Sequence, residues 1–203
     1  MSPQPPSDVA FTPAVKAEQE RRGSRAHYER MQRAHAWATT ITPDLLRTLG
    51  DARSCYLGTA NGEGQPYIQH RGGPPGFLKA IDDKQIAFAD FGGNKQYITL
   101  GNLAENPRAY LFVMDYARQR RTKIWGEARV VENDEALLAR VMDPAYRAAP
   151  ERVIVFKIAA WDRNCPQHIP RLIHIDDVAA AIAKLETRIA QLESENARLI
   201  ASR

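Results

Sequence analysis

Between Pro66 and Pro107 the chain reads PYIQHRGGPPGFLKAIDDKQIAFADFGGNKQYITLGNLAENP, and this stretch constrains the fold more than any other. Short alternating apolar segments (Tyr67-Ile68, Phe77-Leu78 and Ile86-Ala87-Phe88) are cut by loops rich in glycine and proline. That pattern reads as strands joined by turns. Cations sit beside those loops. Arg71 leads into Gly72-Gly73-Pro74-Pro75-Gly76, and Gly92-Gly93-Asn94-Lys95 leads into a segment, Lys95 to Glu105, that reads as a helix. Asn94 is the expected N-cap, so first-turn N–H groups and the positive end of the helix dipole would lie beside Lys95. Such a place suits a phosphate, with Arg71 and Lys95 as its cations.

The flanking sequence continues the β pattern. Thr42-Pro43-Asp44 reads as the start of a short helix that ends at Gly50. Strands are expected at Ser54–Ala60 and Gln65–Arg71, joined by the turn Asn61-Gly62-Glu63-Gly64, and at Phe77–Ile81 and Gln85–Ala89. An apolar strand follows over Arg108–Asp115. Arg120–Glu132 reads as a long alternating strand with a bulge at Gly126, and Asn133 as the cap of a helix over Asp134–Met142. Arg152–Trp161 (RVIVFKIAAW) completes a set of about seven strands with few helices between them, which favours an antiparallel barrel over a doubly wound parallel sheet. No GxGxxG follows a strand, and GGPPGFLK lacks the Gly-Lys-Ser/Thr ending of a phosphate-binding Walker loop.

The ends of the chain differ from its middle. Residues 1–13 are proline-rich and are expected to form an arm; Ala14 to Trp37 reads as one or two amphipathic helices broken at Gly23, with Tyr28, Met31 and His35 on the apolar face. At the other end Val178, Ile182, Leu185, Ile189, Leu192, Asn196 and Leu199 recur at steps of four and three. Ile182 and Ile189 then fall at heptad position a, Leu185, Leu192 and Leu199 at d, and Asn196 at a third a. This is the signature of a parallel two-stranded coiled coil; a single amphipathic helix packed on its own domain is the alternative. The expected division is an N-terminal arm and helix (1–40), a barrel domain (41–175) and a C-terminal heptad helix (176–203).

Of 203 residues, 44% are hydrophobic and 26% charged, as in a soluble globular protein. No apolar signal core or bilayer-length segment is present, and two cysteines make no disulfide framework, so a cytoplasmic protein is expected. A net charge of +4 raises the question of nucleic acid, but the basic run Arg118–Arg121 with Lys123 is flanked by Asp115 and Glu127 and forms no stripe. Local anion binding fits better. Cys165-Pro-Gln-His168 has no matching ligand pair elsewhere, so no metal is expected.

Four separated motifs resemble a known family. His70–Phe77 (HRGGPPGF), Gly93–Ile98 (GNKQYI), Gly101–Arg108 (GNLAENPR) and Trp161–Ile169 (WDRNCPQHI) are similar to the flavin-binding split-barrel proteins related to pyridoxamine 5'-phosphate oxidase, and most closely to a bacterial branch carrying these motifs. The resemblance spans roughly Phe11 to Ile175. It implies a mainly β (α+β) fold, an antiparallel split β-barrel with peripheral helices, and a homodimer holding FMN at the subunit interface. It further implies that backbone groups at His70, Gly72, Phe88 and Asp90 line the ring and ribityl chain. Arg121 and Lys123, two apart on one strand and so on one face, would be the next cations after Arg71 and Lys95, which Asn94 assists at the phosphate. Trp161, Cys165 and His168 would form a turn closing over the flavin, with Cys165 and His168 as the catalytic candidates. The chain departs from the oxidase itself: Asn94-Lys95 stands where Arg-Lys is usual, GGPPG interrupts the RxxxLK strand before Phe77-Leu78-Lys79, and Arg171-Leu-Ile-His174 only echoes the substrate-gripping RLHDR segment. The expected function is therefore an FMN-dependent oxidoreductase acting on a small molecule other than pyridoxamine 5'-phosphate. The alternative is a non-catalytic flavin-binding or sensor protein with an interaction tail.

Overall fold

The computed structural model describes residues 4–34, 37–164 and 166–202. His35 and Cys165, both singled out above, lie outside the described residues. The chain forms two compact units: one runs to Asp115 and again from Arg120 to Pro166, the other combines Tyr116–Gln119 with the chain from Gln167 onward. No helix is long and apolar enough to cross a membrane among the described residues.

The first unit is an antiparallel sheet of β1 (Ser54–Ala60), β2 (Pro66–Gly72), β3 (Lys79–Ala80), β4 (Gln85–Phe91), β5 (Arg108–Asp115), β6 (Arg120–Val131) and β7 (Pro150–Asn164). Their order across the sheet is β2-β1-β5-β6-β7-β4-β3. Side chains alternate as the pleat requires. Cys55 and Leu57 of β1, Leu111 and Val113 of β5, Ile124 of β6, and Ile154 and Phe156 of β7 turn inward and join Ile86 and Phe88 in one core cluster. Each such buried side chain contributes about 1.5–3 kcal/mol relative to exposure. β4 is buried on both faces, because Ala87 and Ala89 pack outward with Val153, Val155 and Val141 in a second cluster. Val141 belongs to the short helix α5 (Glu135–Val141), whose Arg140 donates to the Ile81 carbonyl at 2.6 Å. This two-sided burial is why the Ile86-Ala87-Phe88-Ala89 run is apolar throughout rather than alternating.

The helix α3 (Pro43–Asp51) begins as the sequence predicts, with the Thr42 side chain accepting from the Leu45 N–H at 3.4 Å and Pro43 at the first position. It buries Leu45 and Leu49. Two further helices, α1 (Pro13–Arg21) and α2 (Arg25–Ala34), break at Gly23 with φ 75°. The arm expected before them is packed instead. Pro6–Val9 forms a 3-10 turn with Ser7 buried, Gln32 of α2 donates to the Ser7 hydroxyl at 2.6 Å, and the Phe11 ring lies 5.2 Å from Trp37 and 5.3 Å from Tyr28. Proline content read as an absence of burial; the polar groups of Ser7 and Asp8 are what the helices use.

Several boundaries move. The strand expected over Phe77–Ile81 shrinks to Lys79–Ala80, because Phe77 and Leu78 turn into the core rather than along the sheet. β7 extends past Trp161 to Asn164. α5 is capped by Asp134, whose carboxylate accepts from the Leu137 N–H at 2.8 Å, while Asn133 takes a left-handed turn at φ 57°.

In the second unit Gln119 donates to the Ile169 carbonyl at 2.6 Å and Arg171 to the Ala117 carbonyl at 3.4 Å. Its helix α6 (Ile175–Ala201) is capped by His174 and buries none of its residues.

The bulge at Gly126 is confirmed: β6 and β7 slip register between Trp125 and Gly126. A Cβ there would run into the Lys157 carbonyl oxygen and lie 2.7 Å from the Phe156 ring. Gly126→Ala should therefore cost about 2–4 kcal/mol. Gly50→Ala in α3, where nothing lies within 4 Å of the new methyl, should be neutral or stabilise by up to about 1 kcal/mol. Urea midpoints of the two variants check the pair.

Candidate functional site

The sheet order leaves β2 at one end and β4 with its two-residue partner β3 at the other, so no backbone ladder joins them. The seam is bridged by side chains. Arg71, on the inward face of β2 opposite Cys55, forms an ion pair with Asp90 of β4. Only 12% of the Arg71 side chain and 6% of the Asp90 side chain are exposed. Asp90 also faces Arg152, its register partner on β7, whose Nε lies 4.0 Å from its second oxygen. Arg152 is equally buried, pairs with Glu151 and reaches Glu132 at 3.8 Å. One carboxylate thus stands between two guanidinium groups. Burial pushes the Asp90 carboxyl above its usual range, and Arg71 and Arg152 only partly offset that shift. The Nε–H groups of Arg71 and Arg152 are buried without an acceptor. A buried donor left unmatched costs about 1–3 kcal/mol.

The loop after β4 completes this cleft. The helix expected from Lys95 begins three residues later: α4 covers Ile98–Glu105, with Tyr97 at its N-cap in the left-handed region at φ 55°. Lys95 is also left-handed at φ 58°, and two such residues cannot sit inside an α-helix. Asn94 is therefore no N-cap; its side-chain oxygen accepts from the Gln96 N–H at 3.2 Å and shapes the turn. No side chain caps α4, which leaves its first-turn N–H groups and positive end open. Ile98, Thr99 and Leu100 line the same cleft as Arg71, Asn94, Lys95 and Arg152. Tyr97 stacks 5.5 Å from the Arg152 guanidinium, and Thr99 donates to Gln69 at 2.6 Å. Three cations, two of them in ion pairs, face two carboxylates, Asp90 and Glu151; Lys95 is exposed and forms no ion pair among the described residues. The cavity is small, about 50 Å³.

Other expected residues lie elsewhere. Phe88 is fully buried, main chain included, and packs its ring 6.1 Å from Phe77. β3 stops opposite Ala87, and the edge from Phe88 to Phe91 has no strand partner on that side among the described residues. His70 points to the outer barrel face, its ring 5.8 Å from Tyr56. Gly72 ends β2, and the N–H of Gly73 after it donates to the Arg53 carbonyl at 3.1 Å. Arg121 and Lys123 do share one face, but it is also the outer one. Lys123 lies 5.5 Å and 5.2 Å from the stacked Trp37 and Trp125 rings and 3.4 Å from the Asp162 carboxylate. The Arg121 Nε is buried without an acceptor, and burial pushes the neighbouring Tyr110 hydroxyl up to about 12. Trp161 is not part of a closing turn: it sits in β7, in the core, donating to the Thr40 carbonyl at 2.8 Å. His168 is exposed in a turn of the second unit at φ 61°. No group of three or more metal-ligating side chains occurs among the described residues.

Arg152 and Tyr97 were not anticipated. The signal for Arg152 was a lone cation at the head of the apolar strand RVIVFKIAAW, whose antiparallel pairing with β4 places it opposite Asp90. Tyr97 left no such mark, since nothing local announces a left-handed tyrosine.

The raised Asp90 pKa has a defined sign. The folded state holds the Asp90 proton more tightly than the unfolded chain does. The associated stability is complete below the ordinary carboxylate range and is lost as pH rises through Asp90's own folded value. Asp90→Asn should flatten that part of the stability profile, measured as urea midpoints from acid to neutral pH. An unchanged slope would remove Asp90 as its source.

Comparison with known proteins gives a family match and several distant structural similarities. No curated protein matches the chain. Among solved structures, HupZ of Group A Streptococcus is 17% identical, covering 66% of this chain and 99% of its own, with a TM-score of 0.48. An FMN-binding protein from Syntrophomonas wolfei is 17% identical over 76% and 99%, at 0.47. A protein related to general stress protein 26, from Clostridium acetobutylicum, is 13% identical over 65% and 92%, at 0.45. Residues 41–165, more than half of the sequence and nearly the whole barrel, match the family profile described as pyridoxamine 5'-phosphate oxidase, and the chain belongs to that family.

Proposed function

We propose that this protein is an FMN-dependent oxidoreductase that grips the cofactor by its phosphate at the β2–β4 seam. One observation carries the reading. The uncapped N-terminus of α4, the exposed Lys95, and Arg71 and Arg152, whose buried Nε–H groups have no acceptor, line a single cavity of about 50 Å³. Each of those groups lacks what an oxyanion would supply. The residues therefore fit the phosphate of a flavin nucleotide. Bound flavin would supply reversible two-electron exchange with a donor and a small-molecule acceptor.

Size decides where the rest of the cofactor lies. Sites for ligands of this size run to about 300–1,000 Å³, several times the seam cavity, so the ring must extend beyond it. The unpaired edge from Phe88 to Phe91 would offer backbone groups to the ring and ribityl chain. By the same reading, backbone groups of His70, Gly72 and Asp90 would also reach the cofactor. A homodimer is the arrangement that would cover a ring left outside one subunit. In it Arg121 and Lys123, on the outer face beside Trp37 and Trp125, would meet a cofactor held by the second subunit. His168 and Cys165 are the groups to test for ring contact.

The purified protein should show the two visible bands of oxidised flavin. Arg71→Ala or Lys95→Ala should weaken FMN binding roughly ten- to hundred-fold, the loss of about 1.5–3 kcal/mol for a charge-assisted bond. Riboflavin, which lacks the phosphate, should bind poorly and respond little to either substitution. Equal losses for FMN and riboflavin would overturn the assignment. Reduction of the bound flavin by NADH or NADPH, with turnover on added acceptors, separates an enzyme from a flavin-binding sensor.

A further inference from the structure

We propose that α6 is one strand of a parallel, in-register two-stranded coiled coil whose other strand is the α6 of a second copy of this chain. The helix spans 27 residues, about 40 Å, and buries none of them. Its Ile and Leu side chains at a and d are 42% (Leu192) to 64% (Leu185) exposed, so the stripe lacks the burial that its composition calls for. The stripe is two positions wide in every seven. A seam that narrow fits another helix better than the broad surface of a globular domain.

Three features select the occupant. Isoleucine at a with leucine at d packs as two parallel strands in preference to three or four. Asn196 occupies an a position, and only a parallel, unshifted partner places Asn196 of the partner subunit against it, so that each carboxamide can satisfy the other. In an antiparallel pair it would face apolar side chains. The flanking charges agree. Arg188 stands at g and Glu193 at the following e, the two positions that meet across a parallel seam. Two symmetric pairs form, each Arg188 with Glu193 of the partner subunit. An antiparallel seam would instead set e against e, bringing Glu186 and Glu193 together. Within one chain Arg188 only approaches Gln191, at 3.4 Å. Glu193 has no ion pair among the described residues. None of this depends on the flavin reading, and the seam is a self-recognition surface whether or not a cofactor is bound.

The test uses the full chain with single cysteines under mild oxidation, the unsubstituted chain giving the background from the native thiols. In a parallel register two copies of Leu199→Cys, at d, meet across the axis, whereas Ala197→Cys, at b, points away from it. Leu199→Cys should form disulfide-linked dimers at least about tenfold faster than Ala197→Cys. Adding Glu193→Arg should reduce helix association roughly three- to thirty-fold through two like-charge contacts, and Arg188→Glu with Glu193→Arg should restore it. Equal rates for the two cysteines would overturn the proposal. So would Leu199→Cys copies that fail to link to each other but link to Val178→Cys copies, since an antiparallel pair separates the two Leu199 positions by roughly 30 Å. A charge reversal without effect would overturn the register.

Discussion

The contact on which the rest depends is the one between Arg71 and Asp90. An antiparallel sheet of this length has two ends, and here they are β2 and β4 with its stub β3. Among the described residues no backbone ladder joins them. Arg71 and Asp90 do, and they are buried where they meet. A buried ion pair is weak support for overall stability, because desolvation consumes most of the attraction. Its effect here is positional. The pair ties the two walls of the seam together, and with Arg152 on the far side it keeps two guanidinium groups in the lining of one small cavity.

What keeps the other wall of the seam still is β4. Its residues are packed on both faces, inward by Ile86 and Phe88 and outward by Ala87 and Ala89 against β7 and α5. A strand held this way can leave part of one edge unpaired without fraying. β3 exploits that by ending after two residues, because Phe77 and Leu78 are spent on the core rather than on the ladder. The same choice that trims the ladder leaves the Phe88–Phe91 backbone without a strand partner on that side among the described residues. Stability and site are therefore coupled through where Phe77 points.

The barrel was legible in the sequence because its signals are local. Alternation marked β1, β2 and β6, Thr42-Pro43 marked α3, and Gly126 marked the bulge that the Lys157 carbonyl requires. The site was half legible. Arg71 and Lys95 stand in glycine-rich loops and were visible as cations beside open backbone, and the two do share a cleft. Asn94 looked like a cap because N-cap propensity is read from one residue, whereas the cap position was decided by left-handed backbone at Lys95 and Tyr97. Arg152 depends on the pairing of strands sixty residues apart, which no local pattern carries. Trp161 ends the expected last strand and opens the expected closing turn; the structure keeps it in the strand, its indole N–H committed to Thr40.

Cys55 lies opposite Arg71 in the β1–β2 register, 1% exposed, its thiol pushed up to about 12 by burial. At neutral pH it is protonated and out of reach of alkylating reagents or peroxide while the core is closed over it. It becomes reactive only in the molecules whose core has opened around it. The barrel thus carries its own clock. The rate at which this thiol is trapped counts the opening events of the core beneath β1, read at a single sulfur.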